Sequence, residues 1–267
     1  MVTTQLISMK IRLLLGDQLN PKHSWFTTVE ANTCYVMMEM QQETNYVKHH
    51  IQKVVAFFAA MRNFAKDLEK QGHQVHYIPL DAPENTQSLT ENLSYCFQHF
   101  NASSFEYQWP DEFRLDQQLK EFTQQLDLPV NTVDTEHFLT SRTDLQGFFE
   151  GKKQRIMEFF YRDMRKKYNL LMQGEQPEGG QWNGTPEIPP PYHPKTSSLE
   201  PLVQLLENQG IQTFGTIDTS YFLFPTTVEE AQAQLDYFCT HLLCHFGEYQ
   251  DAMHTEQTNL FHARISL

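Results

Sequence analysis

The sequence predicts an α/β protein: a Rossmann-like, five-stranded parallel sheet, followed by a linker and the first helices of an all-helical domain. Three observations predict it. Short apolar runs alternate with amphipathic stretches of helical spacing over the first 140 residues. Gly- and Pro-containing turns separate them. At Thr140 the alternation stops, and a Pro/Gly-rich stretch leads into sequence of helical character only.

The elements follow in order. Ile11–Leu15 is a buried strand that ends in the tight turn Gly16-Asp17-Gln18-Leu19, and Thr33–Met40 is a second strand. Tyr46–Glu69 reads as one long helix, because Val47, Val54, Val55, Phe58, Met61, Ala65 and Leu68 recur at helical spacing and Gly72 follows its end. Gln74–Pro79, Ser104–Trp109 and Pro129–Val133 supply three more strands, with helices over Gln87–Phe100 and Asp111–Leu126 between them. Strands that alternate with helices imply a parallel sheet covered on both faces, with any ligand at the carboxyl ends of the strands. Residues 1–140 are therefore expected to form the α/β domain. Residues 141–197 hold one or two helices over Phe148–Leu171 and the linker Gln173–Lys195, and residues 198–267 open the helical domain with Ser198–Asn208 and Val228–Phe246.

Composition narrows the function. The chain has 267 residues and 40% hydrophobic content, enough to bury a large core. No apolar run approaches the roughly 18 residues of a membrane span. Met1–Lys10 lacks the features of a signal peptide, so a cytoplasmic protein without a membrane partner, and a monomer, is expected. Cys34, Cys96, Cys239 and Cys244 form no C-x-x-C pair and are expected as reduced, buried thiols; no metal site is expected from them or from His49-His50. The net charge of −13 argues against general affinity for nucleic acid, yet the window Lys152–Lys167 is locally +5. That window is either a phosphate-tracking surface or a solvated helix face. No P-loop, zinc signature or Ser-His-Asp order is present.

The candidate binding residues gather at the ends of the first two strands. There is no G-x-G-x-x-G, so the turn that cradles a pyrophosphate is absent, and Asp17 would repel phosphate while accepting hydrogen bonds from ring N–H groups or hydroxyls. By strand alternation Met38 and Met40 share one face and Glu39 takes the other. With Glu43 and Tyr46, these residues describe a pocket with polar ends and soft apolar walls, suited to a flat heteroaromatic ligand. Capping roles compete for Asp17 and Glu43. Trp109, Trp182 and Phe159-Phe160-Tyr161 could stack bases or carry electrons, and core packing is the commoner role for such residues.

Four runs carry a resemblance: LLLGDQLN (Leu13–Asn20), EMQQETNYVKHHIQKVVAFFAAMRNFA (Glu39–Ala65), IMEFFYRDMRKKYNLLMQGEQPEGGQWN (Ile156–Asn183) and FGEYQDAM (Phe246–Met253). They resemble the deoxyribodipyrimidine photolyase-related proteins, the prokaryotic iron–sulfur (6-4) photolyases of the cryptochrome/photolyase superfamily. The resemblance implies an N-terminal antenna domain, a long linker, and a helical domain that holds FAD and a four-cysteine [4Fe–4S] cluster. It implies 6,7-dimethyl-8-ribityllumazine as antenna, held at the positions matching Gly16, Asp17, Gln18, Met38, Met40, Glu43 and Tyr46, where relatives often carry cysteine in place of Met38. It further implies DNA contact at Lys153 and FAD phosphate contacts at His262 and Ser266. The implied activity is light-driven repair of damaged DNA, with a non-repairing blue-light cryptochrome as the alternative. The rest of the flavin pocket and the cluster cysteines are expected outside these 267 residues, so this polypeptide alone is expected not to repair DNA.

Overall fold

The computed structural model describes residues 8–170, 172–174, 176–177 and 198–243. Five strands form one parallel sheet: β1 (Met9–Leu13), β2 (Thr33–Met38), β3 (Gln74–Ile78), β4 (Ala102–Gln108) and β5 (Val130–Val133), in the spatial order β3-β2-β1-β4-β5. The register sets Ile11 opposite Cys34 on one side and Phe105 on the other. The order reverses between β1 and β4, and a crevice opens beyond the carboxyl ends of the strands at such a reversal.

Alternation along the strands builds two cores. Leu14, Tyr35 and Met37 face α2 (Ile51–Lys70), which presents Val55, Phe58, Met61, Phe64 and Leu68 from one side of the helix. Ile11, Leu13, Val36, Phe105 and Tyr107 face α3 (Leu89–His99) and α4 (Phe113–Thr123), through Leu89, Leu93, Leu115 and Leu119. Arg12 is a charged residue in the central strand and is buried. It is tolerated because Glu106 accepts from its Nε at 2.8 Å, Glu30 pairs with Nη2 at 2.9 Å, and the Tyr35 hydroxyl accepts from Nη1 at 3.0 Å. Gly72, at φ +93°, turns the chain out of α2 into β3.

The long helix expected over Tyr46–Glu69 is divided. A short helix α1 (Gln41–Asn45) comes first, and α2 begins only at Ile51. Two interactions stop the helix from extending back. His49–His50 bond in parallel to Thr213–Phe214, and the His50 Nδ1 caps α2 by accepting from Gln52 N–H at 3.2 Å. His49 and His50 therefore precede the helix instead of standing on its surface.

The chain divides into two compact units. The first holds the sheet and, among the described residues, also 198–235. The helix α7 (Glu200–Asn208) buries Leu202 and Leu206 in the core that contains α2, and Asn63 Nδ2 donates to the Thr226 carbonyl at 2.8 Å. The sequence-based boundary placed residues 198–235 with a separate helical domain. Their apolar stripe shows that a face is buried, and the structure shows that it is buried against α2. The second unit holds α5 (Arg142–Phe149), opened by a reciprocal Ser141–Asp144 capping box, and α6 (Met157–Tyr168), ended by Asn169 in the left-handed conformation. Phe160 packs there against Phe148 and Phe149 at ring distances of 5.1 and 5.9 Å. The helix α8 (Val228–Tyr237) runs into a π-helical turn, Phe238–Leu242, that buries Phe238 and Leu242 and leaves Cys239 exposed, contrary to the buried thiol expected there. Cys34 and Cys96 are buried.

Candidate functional site: a cleft at the ends of the first two strands

A cleft opens beyond the carboxyl ends of β1 and β2. Its cavity volume is about 190 Å³, and all the empty space within it, open solvent included, is about 910 Å³. The floor is Leu14, Leu15, Met38, Met40 and Leu115, and the wall formed by α2 contributes Val54, Phe57, Phe58 and Met61. Polar groups stand at one end: Asp17, Glu43, Tyr46, His49, Lys53 and Glu112. That cavity volume is below the roughly 300–1,000 Å³ of typical small-molecule sites. Three of the lining side chains are methionines, whose thioethers repack readily around a ring.

Gly16 sets the depth of the cleft. A Cβ there would stand 2.9 Å from the Met61 Sδ and 3.2 Å from the Phe57 Cδ1, so α2 can approach the end of β1 only over a residue without a side chain. Asp17 follows at the mouth. Enclosure of its carboxyl and the negative charges of Asp111 and Glu112 raise its pKa, against its own backbone hydrogen bond and the nearby His137. Met38 and Met40 face the cleft. Glu39, between them, points the other way and is 0% exposed. Arg62 holds it with two bonds, Nε to Oε1 at 2.5 Å and Nη2 to Oε2 at 2.8 Å, and the Tyr77 hydroxyl and Leu80 N–H donate to it at 2.6 and 3.0 Å. The end of β2 is thereby fixed so that both methionines present to the cavity.

Glu43 lies in the first turn of α1 and Tyr46 ends that helix, with its ring 48% exposed and edge-on to His49 at 5.1 Å. Burial, with the negative charge of Glu112, raises the Tyr46 hydroxyl pKa, and burial lowers that of His49. Both groups are therefore neutral at pH 7. Of the seven residues singled out from the sequence, the structure brings Gly16, Asp17, Met38, Met40, Glu43 and Tyr46 around this one cavity. Gln18 is not among the lining residues. It is buried, its Oε1 accepts from Leu15 N–H at 3.1 Å, and its Nε2 donates to the Gln108 carbonyl at 3.2 Å, so it ties the β1 turn to β4. Sequence reasoning missed Phe57, Met61, Glu112 and Leu115. For Phe57 and Met61 a signal was present, since they stand four residues apart on one face of the helix.

The other candidates are dispersed. Lys153 is exposed, and neither it, Arg155 nor Lys166 has a partner among the described residues. Within the same window Lys152 sits over the Phe148 ring, Arg162 pairs with Glu158, and Lys167 pairs with Asp144 at 3.4 Å. Phe159 and Tyr161 are exposed while Phe160 is buried, and Trp109 packs at the edge of the second core. Trp182, Cys244, His262 and Ser266 lie outside the described residues. Among the described residues, no group of three His, Cys, Asp or Glu side chains could hold a metal ion, and no helix is long and apolar enough to cross a membrane.

The cleft's donor set fits an uncharged, planar heterocycle bearing N–H or hydroxyl groups: carboxylates at one end accept, and sulfur and hydrocarbon enclose the ring. The family profile described as deoxyribodipyrimidine photo-lyase-related protein matches residues 12–222. A (6-4) photolyase of Agrobacterium fabrum is 32% identical over 266 residues, 95% of this chain and 52% of that protein. An uncharacterized protein of Acanthamoeba polyphaga mimivirus is 20% identical over 157 residues, 56% of this chain and 78% of its own. The chain thus spans about half the length of the Agrobacterium protein.

Proposed function

The chain belongs to the deoxyribodipyrimidine photolyase-related family, and from that premise we propose that its first unit is the light-harvesting part of a DNA photolyase, with the β1/β2 cleft as the seat of a lumazine antenna. The observation that carries the reading is the convergence of Asp17, Glu43 and Tyr46 on one cavity walled by methionine and phenylalanine. Bound there, 6,7-dimethyl-8-ribityllumazine supplies near-ultraviolet absorption and passes excitation to a reduced FAD. The protein's own residues bind and orient. Glu43 and Asp17 would accept hydrogen bonds from the lumazine's N–H and hydroxyl groups, and Tyr46, Met38, Met40 and Met61, which line the cavity, would shield the ring from water. The rest of the FAD pocket and the [4Fe–4S] cluster belong, on this reading, to the part of the protein that corresponds to the unmatched half of the Agrobacterium relative. Lys153 would contact damaged DNA. His262 and Ser266 would approach the flavin phosphates.

The test is spectroscopic. Protein purified from its native host is expected to carry an absorption band beyond the protein range, released on denaturation with the mass of the lumazine. The double substitution Glu43→Ala, Tyr46→Ala is expected to abolish that band while far-ultraviolet circular dichroism stays unchanged. A colourless parent protein, or a band that survives the double substitution, refutes the antenna assignment. Light-dependent reversal of a (6-4) lesion by the full-length protein separates repair from blue-light signalling.

A further inference from the structure

Arg114 is not a lining residue of the cleft, yet it holds three residues that are. Its guanidinium makes a paired contact with Glu43, Nη2 to Oε2 at 2.8 Å and Nη1 to Oε1 at 3.3 Å. It makes a second paired contact with Glu112, Nε to Oε1 at 2.9 Å and Nη2 to Oε2 at 3.0 Å. Its Cζ lies 4.5 Å from the centre of the Tyr46 ring. Glu43 and Tyr46 belong to α1, beyond β2, while Glu112 and Arg114 stand at the start of α4, beyond β4. These two segments are opposite walls of the cleft. A second link runs beside the first, from Gln42 Nε2 to Gln118 Oε1 at 2.7 Å.

We infer that Arg114 is the positioning residue of the antenna cleft, a clasp between its two walls that fixes the acceptors of Glu43 and Glu112 and the ring of Tyr46, and so sets how long a bound heterocycle is retained. The inference rests on the antenna reading above. Its physical basis is the planar fork of arginine. One guanidinium meets two carboxylates through paired N–H groups and presents its face to an aromatic ring, which the point charge of lysine cannot do. The clasp also decides which ligands the polar end accepts. With both Glu43 oxygens already committed to Arg114, an incoming N–H or hydroxyl donor shares a lone pair with a neutralised carboxylate. It does not meet a bare anion, so a neutral donor is preferred over a cationic ligand. α1 has only five residues and buries only Thr44, so polar links hold it in place: this clasp, the Gln42 bonds to Gln118 and Leu89, and the Gln41 bonds to Gln87 and Gln209.

The experiment loads the parent chain, Arg114→Ala and Arg114→Lys with 6,7-dimethyl-8-ribityllumazine and follows release after dilution by the chromophore's fluorescence anisotropy. Melting is recorded for each. Arg114→Ala is expected to release the lumazine about tenfold faster, with a shifted absorption band that reports the altered contact. Arg114→Lys keeps the charge, and with it the fold, and is expected to release at an intermediate rate. Release rates of both variants equal to the parent's overturn the inference while leaving the antenna reading intact. A lysine variant indistinguishable from the parent overturns the role given to the fork. A parent chain that takes up no lumazine overturns the antenna reading and this inference with it, and its blank spectrum tells that result apart from the others.

Discussion

Removing the arginine that holds Glu39 puts the construction of the cleft to a direct test. Arg62→Ala strips a fully buried carboxylate of the one cation paired with it among the described residues, while leaving it the Tyr77 hydroxyl and the Leu80 N–H. Breaking a buried pair by deleting one partner costs about 3–5 kcal/mol. Two features reduce that figure: the Arg62 side chain is 30% exposed, and two hydrogen bonds to Glu39 survive. About 2–3 kcal/mol remains at pH 7, which for a unit of this size lowers the melting temperature by roughly 5–10 °C. Adding Glu39→Gln removes the uncompensated charge and should recover part of that loss. Differential scanning calorimetry of the three proteins at pH 7 decides the matter. An Arg62→Ala variant that melts with the parent, or a double variant no more stable than Arg62→Ala alone, refutes the claim that a buried charge organises the end of β2.

Further expectations concern other groups. Gly16→Ala is expected to fold, because the flexible end of Met61 can yield into the cavity. It should lose lumazine retention and cost on the order of 1 kcal/mol by urea titration; unchanged retention would show that the cavity is deeper than its walls indicate. Burial pushes the thiols of Cys34 and Cys96 up to about 11 and about 12, so alkylation near neutral pH followed by peptide mass analysis should label exposed Cys239 and spare these two until the protein is denatured. Asp17 has its pKa raised chiefly by enclosure, so its ionisation works against the folded state at neutral pH. Asp17→Asn should melt above the parent at pH 7 and level with it in acid, and the reverse order would contradict the raised pKa. Lys153→Ala should weaken binding to DNA irrespective of its sequence and reduce the slope of log affinity against log salt by about 0.9; an unchanged slope would remove this residue from the DNA surface.

Short apolar runs between helical stretches made the sheet legible in the sequence, and the structure divides the first of them, Ile11, Leu13 and Leu15 facing one core and Leu14 the other. The same pattern was silent about partners distant in sequence. The start of α2 depends on Thr213–Phe214, which no window around His49 contains. The stripe Leu202, Leu206 and Ile211 shows that a face is buried, and only the fold shows it packed with α2. The family resemblance implies a binding role for Gln18, yet its amide bonds the backbone of its own turn and of β4. Arg114 reads in sequence as an ordinary exposed residue near a helix start, because Glu43 lies 71 positions away.

The absence of a phosphate-binding turn also has a structural form. In dinucleotide-binding folds with this strand order, a helix follows β1 at once, and its free N–H groups hold the pyrophosphate. Here β1 leads into a loop that contains only the single 3₁₀ turn Ser24–Phe26, so no helix follows at once to offer its N–H groups at that point. The first N–H beyond β1, that of Leu14, bonds the Val36 carbonyl, and the next is taken by Gln18. Asp17 lines the cleft just beyond this turn and adds a carboxylate there. The crevice that the topology provides therefore offers an anion no helix N-terminus beyond β1, and beside Lys53 it sets the carboxylates of Asp17, Glu43 and Glu112 above an apolar floor. Those acceptors select by hydrogen-bond polarity: a ligand must bring donors and no phosphate. An assay that offers nucleotide cofactors and the neutral lumazine to the same protein should find binding only for the latter, and tight retention of a dinucleotide in this cleft would contradict the argument from donors and acceptors.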